Sequence, residues 1–271
     1  MDIDGYYINL ARDQVRRKTL EAQLRRHGWT PRYRRFEAVD GSRLALDSPL
    51  SPGALGCWMS HLGVLELGRG RQRILHVLED DADLDAQLPQ ALAALAGKQE
   101  WDLIFSDVFF HPPLNPEQFI RVARALQAQR ARNSVQLLPL ARLPFTGTTS
   151  YFVHPRAITR LHAAMARGWQ QGLGWDVALQ RLVAAGQFKA FVFLPFLSGV
   201  SAEAKSSTIG GHGPAETELY LLRAALRVGA DLPALADRLP GHPFAERHPL
   251  LRLYLASLAA ALDPLLEASS P

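Results

Sequence analysis

Up to residue 195, short apolar runs alternate with charged, helix-patterned stretches, and this alternation constrains the fold more than any other feature. The runs are YYINL (6–10), RYRRFEAV (32–39), RILHVLED (73–80), WDLIFSD (101–107), SYFVHP (150–155) and FKAFVFLP (188–195). Between them, Val15, Leu20 and Leu24 line one face of a helix expected over Arg12–His27 and ended by Gly28. Leu55, Met59, Leu62 and Leu65 mark a second helix over 54–68. Further helices are expected over 86–95, 115–130 and 157–168. Strands alternating with helices predict an α/β fold. RILHVLED alternates poorly and is rich in apolar residues, which places it centrally, buried on both faces.

From Ala215 the chain becomes rich in leucine and alanine, with helices expected over 215–228, 231–239 and 248–267, separated by Pro233, Pro240, Pro243 and Pro249. We therefore expect one α/β domain over 1–213 and a helical C-terminal extension over 214–271. The extension either covers an edge of that domain or forms a homodimer.

Composition narrows the function classes. With 271 residues and 48% apolar content, the chain can bury a large core. A single cysteine, Cys57, rules out an intrachain disulfide and a cysteine-rich zinc site. MDIDGYYINL lacks the pattern of a secretory signal, and no apolar run approaches the roughly 20 residues needed to span a bilayer. The chain reads as cytoplasmic, a reading compatible with peripheral work at the inner face of a membrane. Its net charge is +4, with nine basic residues between Arg12 and Arg35. That balance suits a phosphorylated small molecule. No zinc finger, helix-turn-helix or aromatic stacking motif supports nucleic acid.

The end of the third run, LHVLEDDADLD (75–85), carries the chemistry. Like charge gathered where a buried strand ends predicts either a solvated turn or a missing cation. A calcium hand fails, because the sixth and twelfth positions counted from Asp81 are Ala86 and Leu92. Magnesium or manganese asks less, since one or two carboxylates suffice when phosphate oxygens and water complete the shell. In extended backbone Glu79 and Asp81 point the same way, and Asp80 points away to orient backbone or substrate. Acids there also sit at the carboxyl end of a strand, where open α/β sheets bind ligands. Arg12 and Arg16, four apart, are expected to share a helix face, with guanidinium forks suited to phosphate. Asp107 ends WDLIFSD much as the acids end the third run, so Ser106 and Asp107 are candidate contacts to donor or acceptor. Thr148, Thr149 and Tyr151 offer hydroxyls to sugar oxygens, and Lys205, Ser206 and Ser207 lie in a loop able to close over diphosphate. Cys57 and Trp58 read as packing residues.

Six ordered blocks, YYINLARDQVRR, FEAVDG, LGCWMSHLGVLE, HVLEDDADL, GTTSYFVHPRAITRL and GWDVAL, resemble glycosyltransferase family 25. The resemblance covers roughly residues 6–210. It implies a nucleotide-sugar-binding, metal-dependent α/β fold of the GT-A-like type. It also implies transfer of a sugar, commonly galactose, from a uridine diphosphate donor to a hydroxyl with inversion, with a lipopolysaccharide or other glycan as acceptor. Carried onto this chain, it puts Asn9, Arg12 and Arg16 at the donor nucleotide and Ala38 and Asp40 at base and ribose. Glu79 and Asp81 fall at a manganese or magnesium ion, with Asp83 as a third candidate. Ser60 and His61 match the family's serine–histidine pair, with His61 shaping the site or moving a proton.

Asp176 resembles the family's late aspartate and is the candidate general base of an inverting displacement. Standing after GLGW and before VALQRLV, it is equally placed to cap a helix. Two alternatives stay open: another metal-dependent nucleotide enzyme such as a nucleotidyltransferase, and a catalytically silent binding protein on the same fold. Neither GxxxxGK[ST] nor GxGxxG appears, which weighs against the first. Retention of Glu79 and Asp81 weighs against the second.

Overall fold

The computed structural model describes residues 2–110, 122, 134–201 and 223–230. The expected helix over 115–130 apart from Val122, the loop holding Lys205, Ser206 and Ser207, and the helical extension apart from 223–230 lie outside the described residues.

The elements follow in the order β1 (Ile3–Asn9), α1 (Gln14–Arg26), β2 (Tyr33–Glu37), α2 (Pro52–Gly68), β3 (Ile74–Glu79), β4 (Ala82–Leu84), α3 (Leu88–Leu95) and β5 (Leu103–Phe105). They continue with β6 (Phe109–Phe110), β7 (Gln136–Pro139), β8 (Phe145–Thr146), β9 (Ser150–Val153), α4 (Pro155–Met165), α5 (Trp175–Ala184), β10 (Ala190–Leu194) and β11 (Ser198–Val200). Seven strands form one mixed sheet in the order β2-β1-β3-β9-β5-β10-β7. β1 pairs parallel with both β2 and β3, and β10 pairs parallel with β5. β9 runs antiparallel between β3 and β5, and β7 is an antiparallel edge.

The sheet is covered on both faces, as the poor alternation of β3 predicts. Leu75 and Val77 pack into a core with Trp58 and Leu65 of α2, Leu161 of α4 and Leu179 of α5. Ile74 and Leu78 face the opposite core, with Leu20 and Leu24 of α1 and Leu88 and Leu92 of α3. Burying both sides of one strand holds its carboxyl end still, which matters because the acids are placed there. His76, also buried on β3, is satisfied structurally: Tyr33 meets its Nδ1 at 2.6 Å and Ser150 its Nε2 at 2.9 Å. The Tyr33 ring crosses β1 over Gly5, where a Cβ would lie 2.4 Å from it.

Helix starts follow capping chemistry. Ser51 accepts the Ala54 N–H at 3.3 Å, and Pro52, lacking an N–H of its own, fits the first turn of α2. Pro155 ends the SYFVHP strand and opens α4 for the same reason. Several expectations shift. Arg12 lies in the turn before α1, so Arg12 and Arg16 do not share a helix face. β6 falls within 108–116, and β7 and β8 within 133–147, stretches for which the sequence pattern predicts neither strand nor helix. β4 and β11 pair as a small antiparallel ribbon with Asp83 opposite Gly199. No helix among the described residues is long and apolar enough to cross a membrane.

Candidate active site

A cavity of about 390 Å³ opens where β1, β2 and β3 end. The chain passes from β1 outward to β2 and then crosses back to β3 on the other side of β1, so the cavity sits where strand order reverses. Ile8 and Leu10 contribute from β1 and its exit, Ala38 to Asp40 from beyond β2, the first half of α2 from the side, and Glu79 to Asp81 from the end of β3. Arg12 and Arg16 also line it. The volume suits a small-molecule ligand.

One wall is backbone. A Cβ on Gly41 would fall 1.8 Å from the Pro52 carbonyl oxygen, and one on Gly56 would fall 2.5 Å from that of Val39. The chain at 39–41 therefore lies directly against α2. Ser60 fastens this contact: its hydroxyl donates to the Gly56 carbonyl at 2.7 Å and accepts the Val39 N–H at 2.8 Å. Ser60 lines the cavity with its hydroxyl already committed.

The charged part of the lining is made of ion pairs, beginning at Asp40 itself. Asp40 accepts from Arg12 at 2.5 Å and from the Ser42 hydroxyl at 2.7 Å, and these two contacts, Ser42 first, hold its carboxyl down at about 2. Asp80 accepts from Asn9 at 2.7 Å and from Arg16 at 3.1 Å. Asn9, itself buried, also donates to the Asp13 carbonyl and accepts from Arg35, so it braces the site from behind. The expectation that Asp80 points away is corrected here. Asp80 and Asp81 form a turn between β3 and β4, not extended chain, and all three acids reach the cavity.

Glu79 accepts the Thr148 hydroxyl at 2.8 Å and lies 3.4 Å from His61 Nε2. Burial alone would raise its carboxyl, but His61, Thr148 and the charge of Arg223 outweigh this and leave it below the usual range. His61 is held by Tyr151, whose hydroxyl meets Nδ1 at 3.0 Å, and stacks on Trp175 at 5.1 Å. Asp81 is the contrast. Its Oδ1 is buried without a hydrogen-bond partner, and burial together with the neighbouring Glu79 charge pushes its carboxyl up to about 7.

Other acids are spent elsewhere. Asp83 does not reach the cavity, because Arg227 pairs with it at 2.5 Å from the far side of β4. Asp107 is fully buried, accepts from Ser198 at 2.6 Å and is ion-paired to Arg223, which leaves it no face toward the cavity. Asp176 lies in the first turn of α5, whose N-cap is Gly174. It accepts the Gly147 N–H at 3.0 Å and the Val177 N–H at 2.8 Å. Burial first, then the charges of Glu79, Asp176 and Asp81, push the Cys57 thiol up. Asp176 is not among the residues lining the cavity.

Among the described residues no group of three or more His, Cys, Asp or Glu is arranged to hold a metal ion. The donor set nevertheless fits a divalent cation of the magnesium type. Among the described residues the cavity lining carries five carboxylates, Asp13, Asp40, Glu79, Asp80 and Asp81, against two guanidiniums, Arg12 and Arg16. Such a cavity repels a diphosphate unless a cation intervenes, and Asp81 offers a buried oxygen lacking a partner. Arg223 and Arg227 are functional neighbours that sequence reasoning missed. The available signal was a pair of arginines four apart within the apolar LLRAALRV.

Comparison with curated proteins found no match. Residues 3–171, more than half of the chain, match the family described as glycosyltransferase family 25 (LPS biosynthesis protein). That span contains β1 to β9 and all of the described residues that line the cavity. The mixed sheet with flanking helices is consistent with the GT-A-like fold of that family. On this match the chain belongs to glycosyltransferase family 25 and is a hexosyltransferase-type enzyme using a nucleotide-sugar donor.

Proposed function

We propose that the cavity binds a uridine diphosphate sugar, galactose in our reading, and that the enzyme transfers the sugar with inversion to a hydroxyl of a glycan acceptor. The observation that carries this reading is the excess of carboxylates around an unpartnered Asp81 oxygen, at the carboxyl ends of parallel strands and beside Arg12 and Arg16. Manganese or magnesium would be held by Asp81 and Glu79, and when bound it supplies positive charge to the departing diphosphate. Arg12 and Arg16, each oriented by a carboxylate, present forks to phosphate oxygens. His61 keeps Glu79 in place. The backbone wall at Ala38–Asp40 receives the base and ribose.

Asp176 acts as general base in this scheme. Its two backbone N–H contacts aim the carboxylate while leaving each oxygen a lone pair. The acceptor hydroxyl oxygen bonds to the anomeric carbon as the bond from that carbon to the diphosphate oxygen breaks. The bonding pair leaves with uridine diphosphate, and the acceptor proton passes to Asp176. The α/β domain over 1–213 carries the transfer chemistry, with donor contacts also open to the segment that follows it, and the acceptor is taken at the inner face of a membrane.

Calorimetry with uridine diphosphate, with and without manganese, tests the donor site. Binding that requires manganese is the expected result, and undetectable binding in both conditions overturns it. Asp176→Asn tests the base: its single amide oxygen can keep the Gly147 N–H and gives up the Val177 N–H. Turnover should fall about 10²–10⁴-fold with donor affinity unchanged, beyond the small drop in melting temperature that one lost contact brings. Near-normal transfer would return Asp176 to a role in anchoring α5.

A further inference from the structure

Arg223 lies beyond the family match, yet its guanidinium is buried beside the acids of β3. Nε and Nη2 are paired with Asp107, and Nη2 also donates to the Thr149 hydroxyl at 2.9 Å. The plane rests on the Phe109 ring, 4.2 Å from its centroid. The same Thr149 accepts the Glu79 N–H on its carbonyl at 2.8 Å, so one residue separates Arg223 from the candidate metal ligand. Its charge is felt at both Glu79 and Asp81. Nη1 is buried with no acceptor.

Four buried side-chain atoms among the described residues are left without partners, His61 Nε2, Trp175 Nε1, Asp81 Oδ1 and Arg223 Nη1; the last two belong to groups of opposite charge and do not bond to each other. Buried polar groups are rarely left unpaired without a reason. A cation alone would satisfy only the Asp81 oxygen and an anion alone only the Arg223 nitrogen. A metal-bound phosphate satisfies both. We propose that Arg223, from outside the family-matched region, binds the diphosphate of the donor, its fork pre-aimed by Asp107, Thr149 and Phe109. This rests on the donor-site reading above. It adds a third guanidinium on the side of the acids where Thr149 lies, supplied by the segment 223–230. That segment is held to the body by Arg227 on Asp83 and by backbone bonds between Phe196 and both Leu226 and Val228.

The test is calorimetry of uridine diphosphate and of inorganic pyrophosphate, each with manganese, into the full chain and into Arg223→Gln and Arg223→Lys. For Arg223→Gln we expect at least tenfold weaker binding of both probes. Arg223→Lys keeps the charge against Asp107 but its single ammonium cannot also span to phosphate, so a several-fold loss is expected, with a melting temperature lowered less than in Arg223→Gln. If Arg223→Gln fails to fold, Arg223→Lys decides. Wild-type affinity for both probes in a folded variant overturns the role of Arg223 and leaves the donor site standing. Absence of manganese-dependent binding in the wild type overturns the donor site, and this inference with it.

Discussion

The ends of β3 and β5 look alike in sequence and differ in outcome. Each apolar strand runs into acid, HVLEDD in one case and LIFSD in the other. At β3 the acids crowd a cavity, and Asp81 keeps a buried oxygen with no partner. At β5 the single acid, Asp107, is met by the Ser198 hydroxyl and the Arg223 guanidinium and is closed off. The position of a strand-end acid is a local property. Its charge balance is set by residues about a hundred positions away. An acid whose partners are complete serves the fold, and one left short of partners is available to a ligand.

Removing the saturated acid should show the larger effect. Asp107→Ala strands Arg223 as a buried uncompensated charge, and breaking such a pair costs about 3–5 kcal/mol. Denaturant titration should show that loss, and a change under about 1 kcal/mol would mean the pair contributes no more than an exposed one. At β3 the sign reverses. Asp81 titrates near 7 in the fold, above its unfolded value, so its favourable contribution is complete in acid and is lost as pH rises through about 7. Without metal, Asp81→Asn should melt about 2–4 °C above wild type at pH 8 and match it only below about pH 4, under the carboxyl's unfolded value. A variant that melts lower at pH 8 would show that Asp81 is balanced by protein groups after all, erasing the contrast.

The sequence made the scaffold legible where apolar runs were long enough to carry a period. β1, β3, β10 and α2 follow directly from such runs, and the cavity at strand ends follows from their order. Strands of two or three residues, such as β4, β6, β8 and β11, contain too little pattern to be told from loop. The turn at Asp80–Asp81 was hidden for the same reason, because the alternation assumed for extended chain fails within one residue. Arg223 and Arg227 escaped notice because the apolar tail reads as helix packing, and nothing local links it to Asp107 or Asp83.

The contact between Gly41 and α2 sets one limit on what the cavity can learn to hold. A wall made of backbone has no rotamers to sample, so its outline does not adjust to a guest. The ion-paired side chains of the lining can exchange partners as charge arrives. Across one cavity, the end proposed for the base selects by outline and the end proposed for the phosphates selects by charge. A purine in place of uracil meets the rigid outline. A different sugar phosphate meets the side that can yield.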